Sequence, residues 1–131
     1  MGVYKDHIKD ALPSIKKVRD LKKKLESKGV KYIYSNWIDF LGSPKTKPMP
    51  ISDFEDLCMG KGPQFAVHSV SFVPELTPAD NDQIPVPDLD SLMICPWDKT
   101  CAWVFADLYW NDRPYDVCPR LTLKKQIQKS A

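Results

Sequence analysis

The sequence predicts an α+β fold, with helices at both ends and strands between them. Three observations carry this. Apolar residues recur at helical spacing from Ile15 to Leu25 and again after Pro119. Aromatic and β-branched residues concentrate in Val30–Phe40 and Cys101–Trp110. Of twelve prolines, all but Pro13 lie between Pro44 and Pro119, where long helices are therefore excluded and strands and turns favoured.

The chain has 131 residues, the size of one domain, and 43% of them are hydrophobic. Such a chain buries about two-thirds of its unfolded surface. Residues 3–12 read as a short helical lead-in broken near Pro13. Ser14 is the N-cap of the next helix, and Ile15, Val18, Leu21 and Leu25 form its apolar stripe. Gly29 stops it.

Val30–Phe40 reads as a strand, Leu41–Pro44 as a turn, and Lys45–Pro50 as a proline-interrupted edge strand, together a hairpin. Ser52 opens a second helix, with Glu55 as its capping-box partner and Gly60, Gly62 and Pro63 ending it. Residues 64–73 form a strand-like run. Residues 74–90 read as loop and Leu92–Trp97 as a buried strand. Asp98–Thr100 and Asn111–Pro114 are turns on either side of the strongest strand. From Pro119 a helix runs to Ala131 with no C-cap in sequence, the expectation for a helix that continues into a further domain.

The net charge is +2, so nucleic-acid binding is not the default. Residues 1–31 hold nine lysines and one arginine against four acids, and the remainder is net acidic. Lys16, Lys17, Lys22, Lys23 and Lys24 have no interleaved aromatic residues, which fits the outer face of a docked helix better than a nucleic-acid or membrane contact. No run reaches the ~20 apolar residues of a membrane span. Neither a GxxxxGK[ST] nor a GxGxxG phosphate loop is present. Cys58, Cys95, Cys101 and Cys118 lack C-x-x-C spacing and read as buried free thiols in a reducing compartment, with a metal or redox role as the minor reading. Asp80, Asn81, Asp82, Asp88 and Asp90 lack the loop glycine and terminal Glu of a calcium loop. His7 reads as a solvated residue; His68 is either a hydrogen-bonded strand residue or a pocket-lining one. Trp37, Trp97, Trp103 and Trp110 fall in strands or at their ends, where core or interface packing is expected.

From Lys31 onward the chain resembles the N-terminal β-grasp domain of the glutamine synthetase family. The motifs are Trp37-Ile38-Asp39, Gly42, Lys45–Lys47 and Pro50; then Pro87, Asp88, Ser91, Pro96 and Trp97; then the strand CAWVFADLYW and Cys118-Pro119-Arg120. The resemblance implies a β-grasp-like mixed sheet with a packed helix. It divides the chain into a basic helical segment (1–29), a β-grasp domain (30–118) and the start of a helix leading to a catalytic domain (119–131). For a whole enzyme it implies an ATP-dependent ligase joining ammonia or an organic amine to the glutamate γ-carboxylate through γ-glutamyl phosphate. Such an enzyme is cytoplasmic, a homo-oligomeric ring, and dependent on Mg2+ or Mn2+. This chain itself would carry no catalytic residue, metal ligand or cofactor, and bind neither nucleic acid nor membrane. Its implied role is subunit contact and one wall of the neighbouring subunit's amine pocket, built from Ala66, Val67, His68 and Ser69. The family carries an aromatic-Asp-Gly-Ser-Ser loop there. Phe65 and Ser69 match its ends, but Ala66 stands in place of the Asp, which removes a charge favouring ammonium and leaves room for an organic amine such as methylamine, a longer alkylamine, a polyamine or aniline. The alternative is a stand-alone, non-catalytic β-grasp interaction or regulatory module.

Overall fold

A computed structural model describes residues 4–64, 66 and 77–130. Helices α1 (Ile8–Ala11) and α2 (Ile15–Ser27) lead into β1 (Tyr32–Ile38) and β2 (Pro44–Pro50). A 3-10 turn (Ile51–Asp53) and the short helix α3 (Phe54–Cys58) follow. Then come β3 (Ile84–Ile94), β4 (Cys101–Trp110), β5 (Arg113–Pro114) and α4 (Pro119–Ser130). The expected α+β fold with a mixed sheet is what forms.

The strand order is β2-β1-β4-β3, with β5 paired to the end of β4. β1 and β4 run parallel; the pairs β1–β2 and β3–β4 are antiparallel. Among the described strands β2 and β3 are the edges, and both carry prolines at alternate positions: Pro44, Pro48 and Pro50 in one, Pro85 and Pro87 in the other. Alternate residues direct their backbone groups to the same side of a strand, so the missing N–H groups fall on the side away from the ladder. For this reason the stretch expected as loop up to residue 90 is strand from Ile84, and the strand expected to end at Trp97 stops at Ile94. Proline here marks an edge and does not break the strand.

The start and stop of α2 follow the sequence. The Lys17 N–H donates to Ser14 Oγ at 3.2 Å, and Gly29 takes a φ of 88°. Val18 and Leu25 are buried with Val30, Ile33, Met49, Phe54, Leu57 and Val104. Ile15, expected in the same stripe, is exposed. Of the lysines of α2, Lys16, Lys17, Lys23 and Lys24 are exposed and Lys22 is half-buried. The Ser52–Glu55 capping box does not form: Ser52 sits in the 3-10 turn, α3 starts at Phe54, and Glu55 instead pairs with Arg19 of α2 at 3.2 Å. Pro50 before the turn and Gly60 after the helix, with φ 73°, bound this element.

The β1–β2 turn is held by Asp39, whose Oδ1 accepts the N–H groups of Leu41 (3.0 Å) and Ser43 (2.8 Å) while Gly42 takes a φ of 82°. The Asp39…Gly42 spacing therefore has a local cause: a side chain replaces a backbone acceptor and glycine supplies the left-handed residue. A second apolar cluster joins Trp37, Val86, Leu108, Tyr115, Cys118 and Leu121 near α4. All four cysteines are buried free thiols, and burial pushes the Cys58 thiol up to about 12. Of the core and interface packing expected for the tryptophans, Trp97 does not take the core place. It is 70% exposed, with its ring 5.2 Å from Trp103 and edge-on to it. No helix among the described residues is long and apolar enough to cross a membrane.

Phe54 is 1% exposed at the centre of the α2–α3–sheet core, whereas Phe40 is 56% exposed. Phe54→Ala should lower unfolding free energy by about 3–5 kcal/mol, and Phe40→Ala by no more than about 0.5 kcal/mol. Urea unfolding followed by tryptophan fluorescence measures both; equal losses would contradict this packing.

Candidate functional site

Two regions of the fold carry polar side chains whose placement is not explained by the apolar core alone. The first lies beside β2. Lys47 sends its ammonium to the carbonyl of Gln64 at 2.6 Å, fixing the chain as it leaves the α3 region toward Ala66. Lys47, Asp53, Asp56 and Lys61 line an open cleft of about 430 Å3 at this point. Ala66 is half-buried. Val67, His68 and Ser69, the remaining residues expected to form the amine-pocket wall, lie outside the described residues, as do Phe65 and most of the strand-like run of residues 64–73. The two lysines and two aspartates of the cleft make a mixed-charge surface.

The second region is buried, at the root of α4. Asp88 on β3 and Asp107 on β4 are both almost fully buried. Two carboxylates so placed need cationic partners, since a buried, unpaired charge costs several kcal/mol. Helix α4 supplies both. Arg120 Nη2 lies 2.6 Å from Asp88 Oδ2, and its Nε donates to Asp107 Oδ1 at 3.1 Å. Lys124 Nζ is 3.2 Å from Asp88 Oδ2 and also donates to Asp107 Oδ2. Arg120 and Lys124 are four residues apart, one above the other on one face of the helix. The Arg120 guanidinium also stacks over the Phe105 ring at 5.5 Å. The four charges cancel.

A bulge aims Asp88 into this cluster. The β3–β4 register shifts between Asp88 and Met93. The Asp90 N–H donates to Asp88 Oδ1 at 3.2 Å, the Ser91 hydroxyl donates to the Asp88 carbonyl at 2.6 Å, and the Phe105 N–H donates to Ser91 Oγ at 2.9 Å. Ser91 thus restores a rung that the bulge removes. At the other side Cys118 Sγ accepts the Leu108 N–H at 3.4 Å, and burial raises its thiol above the ordinary cysteine range. Tyr109 donates its hydroxyl to the Lys5 carbonyl at 3.2 Å, tying the N-terminal lead-in to β4; burial raises this phenol too.

The motifs separated by thirty residues in sequence therefore meet here: Pro87-Asp88 with Ser91, the Asp107 strand, and Pro119-Arg120. The comparisons with known proteins agree with that convergence. No protein-family model matches the chain. A glutamine synthetase of Rhizobium meliloti (strain 1021) is 36% identical over 112 residues, 86% of this chain and 25% of that protein. A glutamate–methylamine ligase of Methyloversatilis universalis is 30% identical over 107 residues, 80% of this chain and 24% of that protein. A solved structure of a GmaS/ADP complex superposes with a TM-score of 0.77 at 29% identity, over 85% of this chain and 25% of that one. This chain matches the N-terminal domain of the glutamine synthetase family. It spans about a quarter of the length of the curated relatives it matches.

Within this domain the sequence pointed to Asp88 and Arg120 as motif residues and gave no role to Lys124. The available signal was Asp107, an acid between Ala106 and Leu108 in an otherwise apolar strand, which demands a cation; Lys124 is its match one helical turn beyond Arg120. Asp88 and Asp107 are saturated by these cations, and among the described residues no three His, Cys, Asp or Glu side chains converge as a metal site.

The network gives a test. Asp107→Leu and Lys124→Met should each destabilise the domain by about 3–5 kcal/mol, because each leaves a buried charge in excess. The double variant keeps the Asp88–Arg120 pair and should fall short of the summed losses by about 1–3 kcal/mol. A double-mutant cycle by urea unfolding reads the difference; strict additivity would show that the two side chains do not interact.

Proposed function

We propose that this chain is the N-terminal domain of an ATP-dependent ligase that joins ammonia or an organic amine to the γ-carboxylate of glutamate. The observation that carries the reading is the match over 112 residues to a glutamine synthetase, with Asp88, Asp107 and Arg120 of the shared motifs meeting in one buried network. The similarity to a glutamate–methylamine ligase supports extending the substrate class from ammonia to alkylamines. ATP and its divalent metal belong to the part of the enzyme that this domain does not span.

The domain contributes scaffold and wall. It works within a homo-oligomer, in which the segment containing Ala66, Val67, His68 and Ser69 closes the amine pocket of the adjacent subunit. Exposed apolar side chains support such subunit contact: Tyr32 on β1, Met93 on β3 and Trp97 in the turn after β3. The exposed Leu123 and Ile127, four residues apart on α4, extend the apolar surface available to a following domain.

Ala66 sets the amine preference. A carboxylate at this position favours a small cation; a methyl group does not and leaves space for an alkyl substituent. In the full-length enzyme, Ala66→Asp should shift the ratio of kcat/KM for ammonium over methylamine toward ammonium by at least about 10-fold, the scale of a single charged contact. Initial rates with each amine give this ratio, and an unchanged ratio would remove Ala66 from the pocket wall.

A further inference from the structure

Cys95 and Cys101 face each other where β3 and β4 join. The register pairs Met93 with Trp103 and Ile94 with Ala102, so the next rung sets Cys95 opposite Cys101. The Cys95 N–H donates to the Cys101 carbonyl at 3.0 Å, which confirms that rung. Opposed residues of an antiparallel pair have Cα atoms about 4.5–5.5 Å apart and project to one face. A disulfide spans Cα distances of about 4.4–6.8 Å. After burial, the neighbouring Cys101 is the next cause raising the Cys95 thiol. Cys58 sits in the α3 core and Cys118 against Leu108, each in a different apolar cluster.

We propose that Cys95 and Cys101 form an oxidisable dithiol that closes to a disulfide by exchange with a small-molecule disulfide. Cys101 is the entering thiol. It is 8% exposed against 1% for Cys95, and it adjoins the turn whose Trp97 is open to solvent. Its S–H donates to Asp98 Oδ2 at 3.4 Å, which orients the sulfur at the turn. The Cys101 thiolate attacks one sulfur of the oxidant, RSSR, expelling one RS− and leaving a mixed disulfide on Cys101. The Cys95 thiolate then attacks Cys101 Sγ and expels the second RS−. The two protein protons leave on the two RSH molecules; the dithiol is oxidised by two electrons and RSSR is reduced by two. The product pins the end of β3 to the start of β4 at the turn that carries Trp97.

The experiment uses the intact protein, reduced and then incubated with oxidised glutathione at a series of oxidised-to-reduced ratios. Remaining thiols are alkylated under denaturing conditions, and trypsin cuts after Lys99, between the two cysteines, so only a disulfide holds the products together. The expected result is a monomer lighter by about 2 Da before alkylation, with two thiols fewer alkylated and the bond placed at Cys95–Cys101 by tandem fragmentation. Cys118→Ser should keep the bond and Cys101→Ser abolish it. The wild-type map decides the matter even if a variant fails to fold. The proposal is overturned by four alkylatable thiols after oxidation, by a stable glutathione adduct without closure, or by a bond that uses Cys58, Cys118 or a second copy.

Discussion

Two buried carboxylates on neighbouring strands govern how this domain is put together. Asp88 and Asp107 cannot remain charged in the interior without cations, and both cations come from one face of α4. The position of that helix is therefore set by charge matching as well as by the burial of Leu121. Apolar packing alone tolerates sliding; a four-charge arrangement with short contacts does not, since a displaced helix would strand two carboxylates. The bulge at residues 88–93 serves the same end. It spends a regular rung of the β3–β4 ladder to aim Asp88, and Ser91 reconnects the strands across the gap.

The rest of the fold is arranged around that fixed point. The second apolar cluster packs β4, α4 and the N-terminal lead-in together, and the Tyr109–Lys5 hydrogen bond closes it. On the opposite sheet face α2 and α3 cover Ile33, Met49 and Val104. The Asp39 turn holds the β1–β2 hairpin, and Lys47 on that hairpin fixes the carbonyl of Gln64, two residues before Ala66. That contact holds Gln64, which stands just before the segment that the functional proposal places against a neighbouring subunit.

Much of this was legible in the residues. Ser14 and Gly29 bound α2 because capping and left-handed geometry are local demands that few residue types meet. Cys101–Trp110 is read correctly to the residue because apolar density and the turns on each side agree. Pro85 and Pro87 misled, since proline is read as loop unless the strand is known to lie at an edge, a tertiary fact. Ser52 and Glu55 misled for a related reason: Arg19, thirty-six residues away, takes the glutamate that a capping box needs. Asp88 and Arg120 were visible as motif residues, but their joining with Lys124 depends on the helix docking across two strands. Residue type alone leaves Trp97 open to core or interface packing, and only the fold shows it 70% exposed in the turn after β3.

The proposal that this domain is part of a glutamate–amine ligase is tested most directly by one assay. ADP release by the full-length protein would be measured with ATP and Mg2+, with and without glutamate, and with ammonium or methylamine as the acceptor. The account predicts ADP release that requires both glutamate and an amine, with γ-glutamyl amide formed in equal amount. Absence of any glutamate- and amine-dependent ADP release from the folded protein would contradict it.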